Sequence, residues 1–147
     1  NIAGYDFPDD LWLHVAHQVW ARPAADGIAV VGITALGIHL AGEIYMCRLK
    51  PVGTVVEQGR GIGVVELAKT IVSVKSALSG TVVEINRAVE VEPELIRRDP
   101  YGDGWLARIH CSDWTANAAR LMRPGDAVAA TEHYLASAQR PDRWTDV

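Results

Sequence analysis

Short runs of β-branched residues, each closed by glycine, proline or aspartate, dominate the chain from residue 11 to residue 111. Such runs predict strands, because branched side chains pack well on a pleated sheet while glycine and proline mark the turns. The segments with this pattern are 11–15, 18–21, 28–33, 43–47, 54–56, 62–66, 71–74, 81–85 and 105–109. Many short strands within about 100 residues favour a barrel or a sandwich. We therefore expect a mostly β fold.

Three further segments have helical spacing and a residue that can cap the first turn. They are 35–41 after Thr34, 114–123 after Asp113, and a segment that begins at Asp126 and runs to Pro141. A length of 147 residues suits one domain with one core. We therefore predict an N-terminal extension over 1–10, a single domain over 11–138 that includes the C-terminal helices, and a tail over 139–147.

The overall charge and the cysteine content limit the classes of function. A formal net charge of −4 argues against nucleic-acid binding, which needs a basic stripe to neutralise phosphates. No apolar run approaches the roughly 18 residues of a membrane helix, and the first residues lack the pattern of a secretion signal. Cys47 and Cys111 are too few for a disulfide framework and suit a reducing compartment. We expect a cytoplasmic, monomeric protein without a membrane span.

One sequence repeat has structural consequences. Gly-Thr-Val-Val-Glu occurs at 53–57 and again at 80–84, and Lys69 lies near the midpoint between the copies. A real repeat predicts two half-domains related by a pseudo-twofold axis, with a joining hairpin whose tip is exposed. Chance explains the repeat equally well, because this combination is common in β proteins.

Lys69 lies between two β-branched runs, in the segment Leu67-Ala68-Lys69-Thr70. A lysine at a hairpin tip is most often a solubilising turn residue. The alternative is covalent attachment of a cofactor, because a carrier needs a reachable amine on a rigid, protruding turn. The sequence alone leaves both interpretations open.

Several motifs resemble the H-protein of the glycine cleavage system and its lipoyl-carrying relatives, from about His14 to Leu135. The matching pieces are Val31-Gly32-Ile33-Thr34, Leu40-Ala41-Gly42-Glu43-Ile44, Val52-Gly53, Gly63-Val64-Val65-Glu66 leading to Lys69, Ser79 to Asn86, Pro93-Glu94-Leu95 and Asp99 to Leu106. Biotin carriers place methionine on both sides of their lysine, whereas this chain has Ala68 and Thr70. The resemblance therefore favours lipoate over biotin.

The resemblance implies a flattened, antiparallel β-barrel or sandwich of the lipoyl/biotinyl-carrier type, with a pseudo-twofold axis, one short early helix and C-terminal helices. It further implies that lipoic acid is attached to Lys69 by a lipoate-protein ligase or by lipoyl-synthesis enzymes. Glu66 and Gly80 match positions that help these enzymes to recognise the domain. A protein of this kind shuttles an intermediate on a swinging arm and has no catalytic residues of its own.

Some positions depart from the H-protein pattern. H-proteins carry His-Glu-Trp near the N-terminus, with a carboxylate that can meet a loaded amine, whereas this chain has Gln18-Val19 before Trp20. Apolar residues also replace polar ones around Lys69. A divergent branch resembles the chain more closely: the lipoate-binding proteins that work with a heterodisulfide-reductase-like complex in sulfur oxidation. We therefore expect a sulfur-containing cargo first. The alternative is an aminomethyl cargo with glycine decarboxylase, aminomethyltransferase and dihydrolipoyl dehydrogenase as partners.

Rival classes of function rest on other residues. The chain could be an interaction module that keeps the fold without lipoate, or a redox enzyme that uses Cys47 and Cys111. His14 and His17 form a His-x-x-His motif, but on a strand this spacing puts them on opposite faces. We therefore predict no metal site.

Overall fold

The computed structural model describes residue 2 and residues 4–137. Within these ranges the strands are β1 (Trp12–His14), β2 (Val19–Pro23), β3 (Ile28–Ile33), β4 (Met46–Leu49), β5 (Val55–Val56), β6 (Gly61–Glu66), β7 (Ile71–Lys75), β8 (Gly80–Ile85) and β9 (Ala107–Cys111). The helices are α1 (Ala35–Ala41), α2 (Arg87–Val91), α3 (Glu94–Arg98), α4 (Trp114–Ala118) and α5 (Val128–Ser137). Single 3₁₀ turns cover Val15–His17, Ala25–Gly27 and Pro124–Asp126.

Two antiparallel sheets enclose the main core. The larger sheet has the order β1-β2-β3-β9-β8-β5, and the smaller has the order β4-β6-β7. Inward side chains of both sheets, such as Val31, Val65 and Ile109, belong to one buried cluster. The predicted mostly β, antiparallel fold is confirmed. Because β7 is an edge strand of the smaller sheet, it borders open space on one side.

Helix α1 forms where the sequence predicts it. The Thr34 side chain accepts a hydrogen bond from the Gly37 amide at 3.1 Å, which caps the first turn. Gly42 ends the helix with φ of 83°, a value that suits glycine. Buried Leu36 and Ile38 anchor one face of the helix to the core.

Helices α2, α3 and α4 differ from the sequence prediction, whereas α5 lies within the predicted C-terminal helix, whose predicted end at Pro141 lies outside the described residues. Helices α2 and α3 were not expected, because five residues each are too few to reveal a helical period. Helix α4 ends at Ala118 rather than at 123. Its continuation is prevented because Met122 and Leu13 exchange backbone hydrogen bonds of 2.7 and 2.8 Å, which extends the chain there.

The two copies of the Gly-Thr-Val-Val-Glu repeat pair with each other in the larger sheet. Val55 faces Thr81 and Val56 faces Gly80 across antiparallel strands β5 and β8. The inward residues are Val56 and Val82, although the sequence repeat aligns Val55 with Val82. The copies are therefore neighbouring strands whose side-chain faces are shifted by one residue, and they are not equivalent position by position.

The N-terminal segment packs on the domain. Ile2 and Phe7 are buried in a second cluster with Trp20 and Leu36. The hydroxyl of Tyr101 donates to the Asp6 carbonyl at 3.1 Å and accepts from the Ala35 amide at 2.9 Å. The proposed boundary after residue 10 stays a prediction, and the proposed tail over 139–147 lies outside the described residues. None of the described helices has the length and apolar character to cross a membrane.

Candidate functional site

The hairpin of β6 and β7 presents Lys69 at its tip. The Leu67 amide donates to the Thr70 carbonyl at 2.8 Å, which leaves Ala68 and Lys69 as the two tip residues. Leu67 is buried with 8% of its surface exposed, whereas Ala68 and Lys69 are exposed. The tip is therefore held at its base and free at its end.

Within the part of the chain that the structure describes, the Lys69 amine has no competing partner. Among residues 4–137 its side chain makes no hydrogen bond and no ion pair. A shallow groove around the tip is bordered by Tyr45, Glu66 and Ile71. Tyr45 and Ile71 are about half exposed, at 54% and 46%, so apolar surface flanks the lysine on both sides. The amine is therefore open to an enzyme that modifies it.

The two predicted recognition residues occupy different environments. Glu66 is exposed at the end of β6 and borders the groove around Lys69. Gly80 is buried at the start of β8 in the other sheet, between Val56 and Cys111. A Cβ atom at Gly80 would collide with the carbonyl oxygen of His110. Only Glu66 therefore lies beside the lysine, and Gly80 allows β8 and β9 to approach each other.

An apolar cleft of about 300 Å³ opens along the edge strand β7. Its walls come from the first 3₁₀ turn, β2, β3, α1, the segment before β4, β6, β7 and α5, through Ala16, His17, Val19, Ile33, Gly37, Ile38, Ala41, Ile44, Val65, Val72, Ser73, Val74, Lys75 and Tyr134. These described lining residues include one lysine and no carboxylate. Sequence analysis missed this cleft, because its walls come from segments that only the fold brings together.

Gln18, one of the two positions at which the resemblance would place the H-protein carboxylate, is an internal structural residue. It adopts a left-handed conformation with φ of 52° and is 2% exposed. Its Nε2 donates to the Val15 carbonyl at 2.9 Å, and its Oε1 accepts from the Thr34 hydroxyl at 2.6 Å. The side chain is therefore occupied in joining β2 to the cap of α1. Its neighbour Val19 is the one that lines the cleft.

The expectation that His14 and His17 lie on opposite faces was wrong. Strand β1 ends at His14 and a 3₁₀ turn follows, so the rings stack with centroids 4.9 Å apart. Burial lowers the pKa of His14, and its Nδ1 has no hydrogen-bond partner among the described residues. Among the described residues, no group of three or more histidine, cysteine, aspartate or glutamate side chains could hold a metal ion.

The cysteines are free thiols in two different sheets. Cys47 is a buried core residue, and burial raises its pKa to about 12. Cys111 is half-buried, and burial also raises its pKa. Its Sγ donates to Asn117 Oδ1 at 3.4 Å. Raised pKa values reduce the thiolate fraction at neutral pH, which disfavours the redox-enzyme interpretation.

Comparisons with known proteins agree on one family. The family model described as "Glycine cleavage H-protein" matches residues 12–134. The "Glycine cleavage system H protein" of Marinobacter nauticus is 38% identical over 131 residues, which cover 89% of this chain and 97% of that protein. The "Glycine cleavage system H protein 2" of Aquifex aeolicus is 33% identical over 132 residues, covering 90% and 82% respectively.

A solved structure extends this agreement to the fold. The crystal structure of a glycine cleavage system H protein from Mycobacterium marinum has a TM-score of 0.69 and 27% sequence identity, and the match covers 91% of this chain and all of that one. These relatives support the glycine-cleavage alternative over the sulfur-oxidising branch that sequence analysis preferred. Members of the family are non-catalytic proteins with covalently attached lipoic acid. The chain belongs to the glycine cleavage H-protein family and is a lipoyl carrier rather than an enzyme.

Proposed function

We propose that lipoic acid is attached to Lys69 through an amide bond, and that the chain carries the aminomethyl group between enzymes of the glycine cleavage system. The observation that carries this proposal is the position of Lys69, exposed at a two-residue hairpin tip without a hydrogen bond or ion pair among residues 4–137. An unpaired amine loses no interaction when it is acylated.

The protein fixes the position of the attachment point, and the lipoyl group supplies a disulfide that is opened and closed by thiol–disulfide exchange. Leu67 anchors the base of the tip in the core, so the attachment point stays fixed while the long side chain moves. Ala68 is small and exposed, so it leaves the amine accessible. The hairpin therefore presents one reactive site to successive partners.

Glu66 is proposed to contact the lipoate-protein ligase or the lipoyl-synthesis enzymes directly. It is exposed, three residues before Lys69, in the same groove. Gly80 is proposed to act indirectly. Because a side chain there would push β8 away from His110, substitution would disturb the larger sheet, which packs behind the hairpin.

The proposed partners are glycine decarboxylase, aminomethyltransferase and dihydrolipoyl dehydrogenase. Similarity to H proteins over about nine-tenths of the chain supports this set. Exposed apolar Tyr45 and Ile71 beside the lysine give these partners a contact that leaves the amine free.

A sulfur-containing cargo, exchanged with a heterodisulfide-reductase-like complex, is a second candidate. One observation favours it: the residues lining the cleft include Lys75 and no carboxylate, so an ammonium cargo would find no counter-charge there. The names of the relatives do not support this candidate, and it ranks below the glycine-cleavage proposal.

Attachment is tested by expressing the chain with lipoate and a ligase and measuring the intact mass. Lys69→Arg should abolish the lipoyl adduct and leave stability within about 0.5 kcal/mol, because the replaced side chain is exposed. Lys75→Arg is the matched control and should remain fully modified. Lipoyl on the Lys75 peptide, or no adduct on the wild-type chain, would contradict the proposal, and the second result would favour an unlipoylated interaction module.

The pathway is tested with the lipoylated protein. Saturable aminomethyl loading by glycine decarboxylase and glycine is expected, followed by unloading by aminomethyltransferase. Failure of this loading, together with a mass increase of one sulfur atom on the Lys69 peptide after exposure to a persulfide donor, would favour the sulfur candidate.

A further inference from the structure

The outward face of the smaller sheet carries an excess of positive charge. Alternate residues of its strands, such as Cys47, Val65 and Val72, are buried in the core, so the residues between them point outward. The outward residues form three rows across β4, β6 and β7: Met46, Glu66 and Ile71; Arg48, Val64 and Ser73; Lys50, Gly61 and Lys75. These rows, which we call the basic face, hold three cations and one carboxylate on a chain with a net charge of −4.

The third row contains a hollow, because Gly61 has no side chain there. A Cβ atom at Gly61 would lie 2.7 Å from the Ser73 hydroxyl oxygen and 3.9 Å from the Lys50 amine. Lys75 is the strand partner of Gly61 on the β7 side. Among the described residues, the side chains of Arg48, Lys50, Ser73 and Lys75 make no hydrogen bond and no ion pair. These donors can therefore bind an oxygen anion that comes from another molecule.

Neighbouring carboxylates leave this charge in place. Glu66 lies in the row nearest the lysine tip, at the opposite end of the face from the hollow. Glu90, on α2 beside β4, accepts a hydrogen bond from the Leu49 amide at 3.0 Å. The turn before β6 adds one exposed acid and one exposed base, Glu57 and Arg60. The basic face therefore attracts a partner of opposite charge.

We propose that the basic face is a docking surface for a protein that presents carboxylates, and that this protein is the enzyme acting on the group carried by Lys69. The second half of the inference rests on the proposed attachment of lipoate to Lys69. Glu66 and Ile71 of the first row also border the groove around Lys69, so an enzyme on the face has the carried group at its edge. Half-buried Met46 and Val64 add apolar contact between the charges, as in protein interfaces.

Other polyanions fit the face less well. Three cations are fewer than the cluster of roughly four to eight basic residues that binds anionic lipid. The net charge of −4 repels nucleic acid, whose recognition requires a basic stripe. Carboxylate side chains of a protein can meet the three cations one by one, so a protein is the occupant that this charge pattern favours.

Docking is measured on the full lipoylated chain with a decaglutamate peptide, followed through the backbone amide NMR signals of Arg48, Val64 and Ser73. These signals should shift saturably, and affinity should fall as salt rises from about 50 to about 300 mM, because exposed charges are screened. The double variant Arg48→Glu, Lys50→Glu should weaken binding about tenfold, because two attractions become repulsions.

The matched control is the double variant Arg97→Glu, Arg120→Glu. It changes the net charge by the same amount at two exposed arginines outside the three rows. Its affinity for decaglutamate should stay within about twofold of the wild type, because distant exposed charges are screened. Equal losses in the two double variants, no peptide binding, or equal or tighter binding of inorganic phosphate or a decathymidylate would overturn the inference.

The second half is tested by aminomethyl loading with glycine decarboxylase. Arg48→Glu, Lys50→Glu should raise the KM for the lipoylated chain about tenfold and leave kcat within about twofold, since docking is separate from the chemistry. An unchanged KM would overturn this half. A wild-type chain that binds the peptide but is not loaded would refute the proposed glycine-cleavage role and keep the docking surface. Absence of a lipoyl adduct at Lys69, visible by mass beforehand, would refute the proposed attachment itself.

Discussion

Replacing Gln18 with glutamate introduces an acid in the region where H-proteins carry one, and the structure predicts that this change is destabilising. Gln18 donates to the Val15 carbonyl at 2.9 Å and accepts from Thr34 at 2.6 Å, with 2% of its surface exposed. A protonated carboxyl can reproduce both contacts. An ionised one would place a buried negative oxygen against a carbonyl oxygen.

The magnitude follows from the cost of keeping the introduced carboxyl protonated. An unperturbed glutamate has a pKa near 4.3, and each pH unit above this value costs about 1.4 kcal/mol. At pH 7 the loss of stability therefore reaches about 3–4 kcal/mol if the folded-state pKa is raised to 7 or above. Because the folded-state pKa is raised, the variant should match the wild type below about pH 4.3 and lose stability as the pH rises.

Urea unfolding followed by tryptophan fluorescence from pH 4.5 to 8 measures this dependence. With a slope of about 1–3 kcal/mol per molar urea, the midpoint at pH 7 should fall by about 1–4 M. Gln58→Glu is the control, because the Gln58 side chain donates to two backbone carbonyls but is only half-buried, so the pH dependence of this variant should be smaller. A pH-independent effect of Gln18→Glu, or unchanged stability at pH 7, would show that this side chain turns out of its internal contacts.

Two further predictions concern the close approach of β8 and β9 at Gly80 and the role of the two thiols. Gly80→Ala should lower the free energy of unfolding by about 1–3 kcal/mol in urea, because the new Cβ atom meets the His110 carbonyl. Lipoylation should fall in proportion to the unfolded fraction. Unchanged stability would refute the steric argument. The double variant Cys47→Ser, Cys111→Ser should still accept lipoate, and its lipoyl group should still cycle between disulfide and dithiol, because a carrier requires neither thiol. Mass and thiol titration measure this cycling. Loss of cycling in folded protein would favour the redox-enzyme interpretation.

Local patterns predicted the parts of the fold that local physics determines. Thr34 and Gly42 define the ends of α1, and the β-branched run at 71–74 became β7, because caps, turns and alternation act within a few residues. The exposed position of Lys69 followed from the same reasoning. Helices α2 and α3 were missed, since a single turn has no period to detect.

An unpredicted turn, the register between strands and long-range packing explain the remaining failures. The stacking of His14 on His17 depends on a 3₁₀ turn that begins where β1 ends. The repeat suggested equivalent half-domains, but identical residues at 53–57 and 80–84 do not determine which face of each strand is buried. The register of β5 against β8 determines that face. The cleft joins Ala16 to Tyr134, a separation that no local pattern spans.

A carrier has to hold its attachment point still and leave the attached group free, and this hairpin meets both requirements through adjacent residues. Leu67 is buried and its amide closes the turn, while Lys69, two residues later, contacts nothing in the described chain that would restrain its amine. Because the buried anchor and the exposed lysine are only two residues apart, the attached group can move while the domain stays fixed.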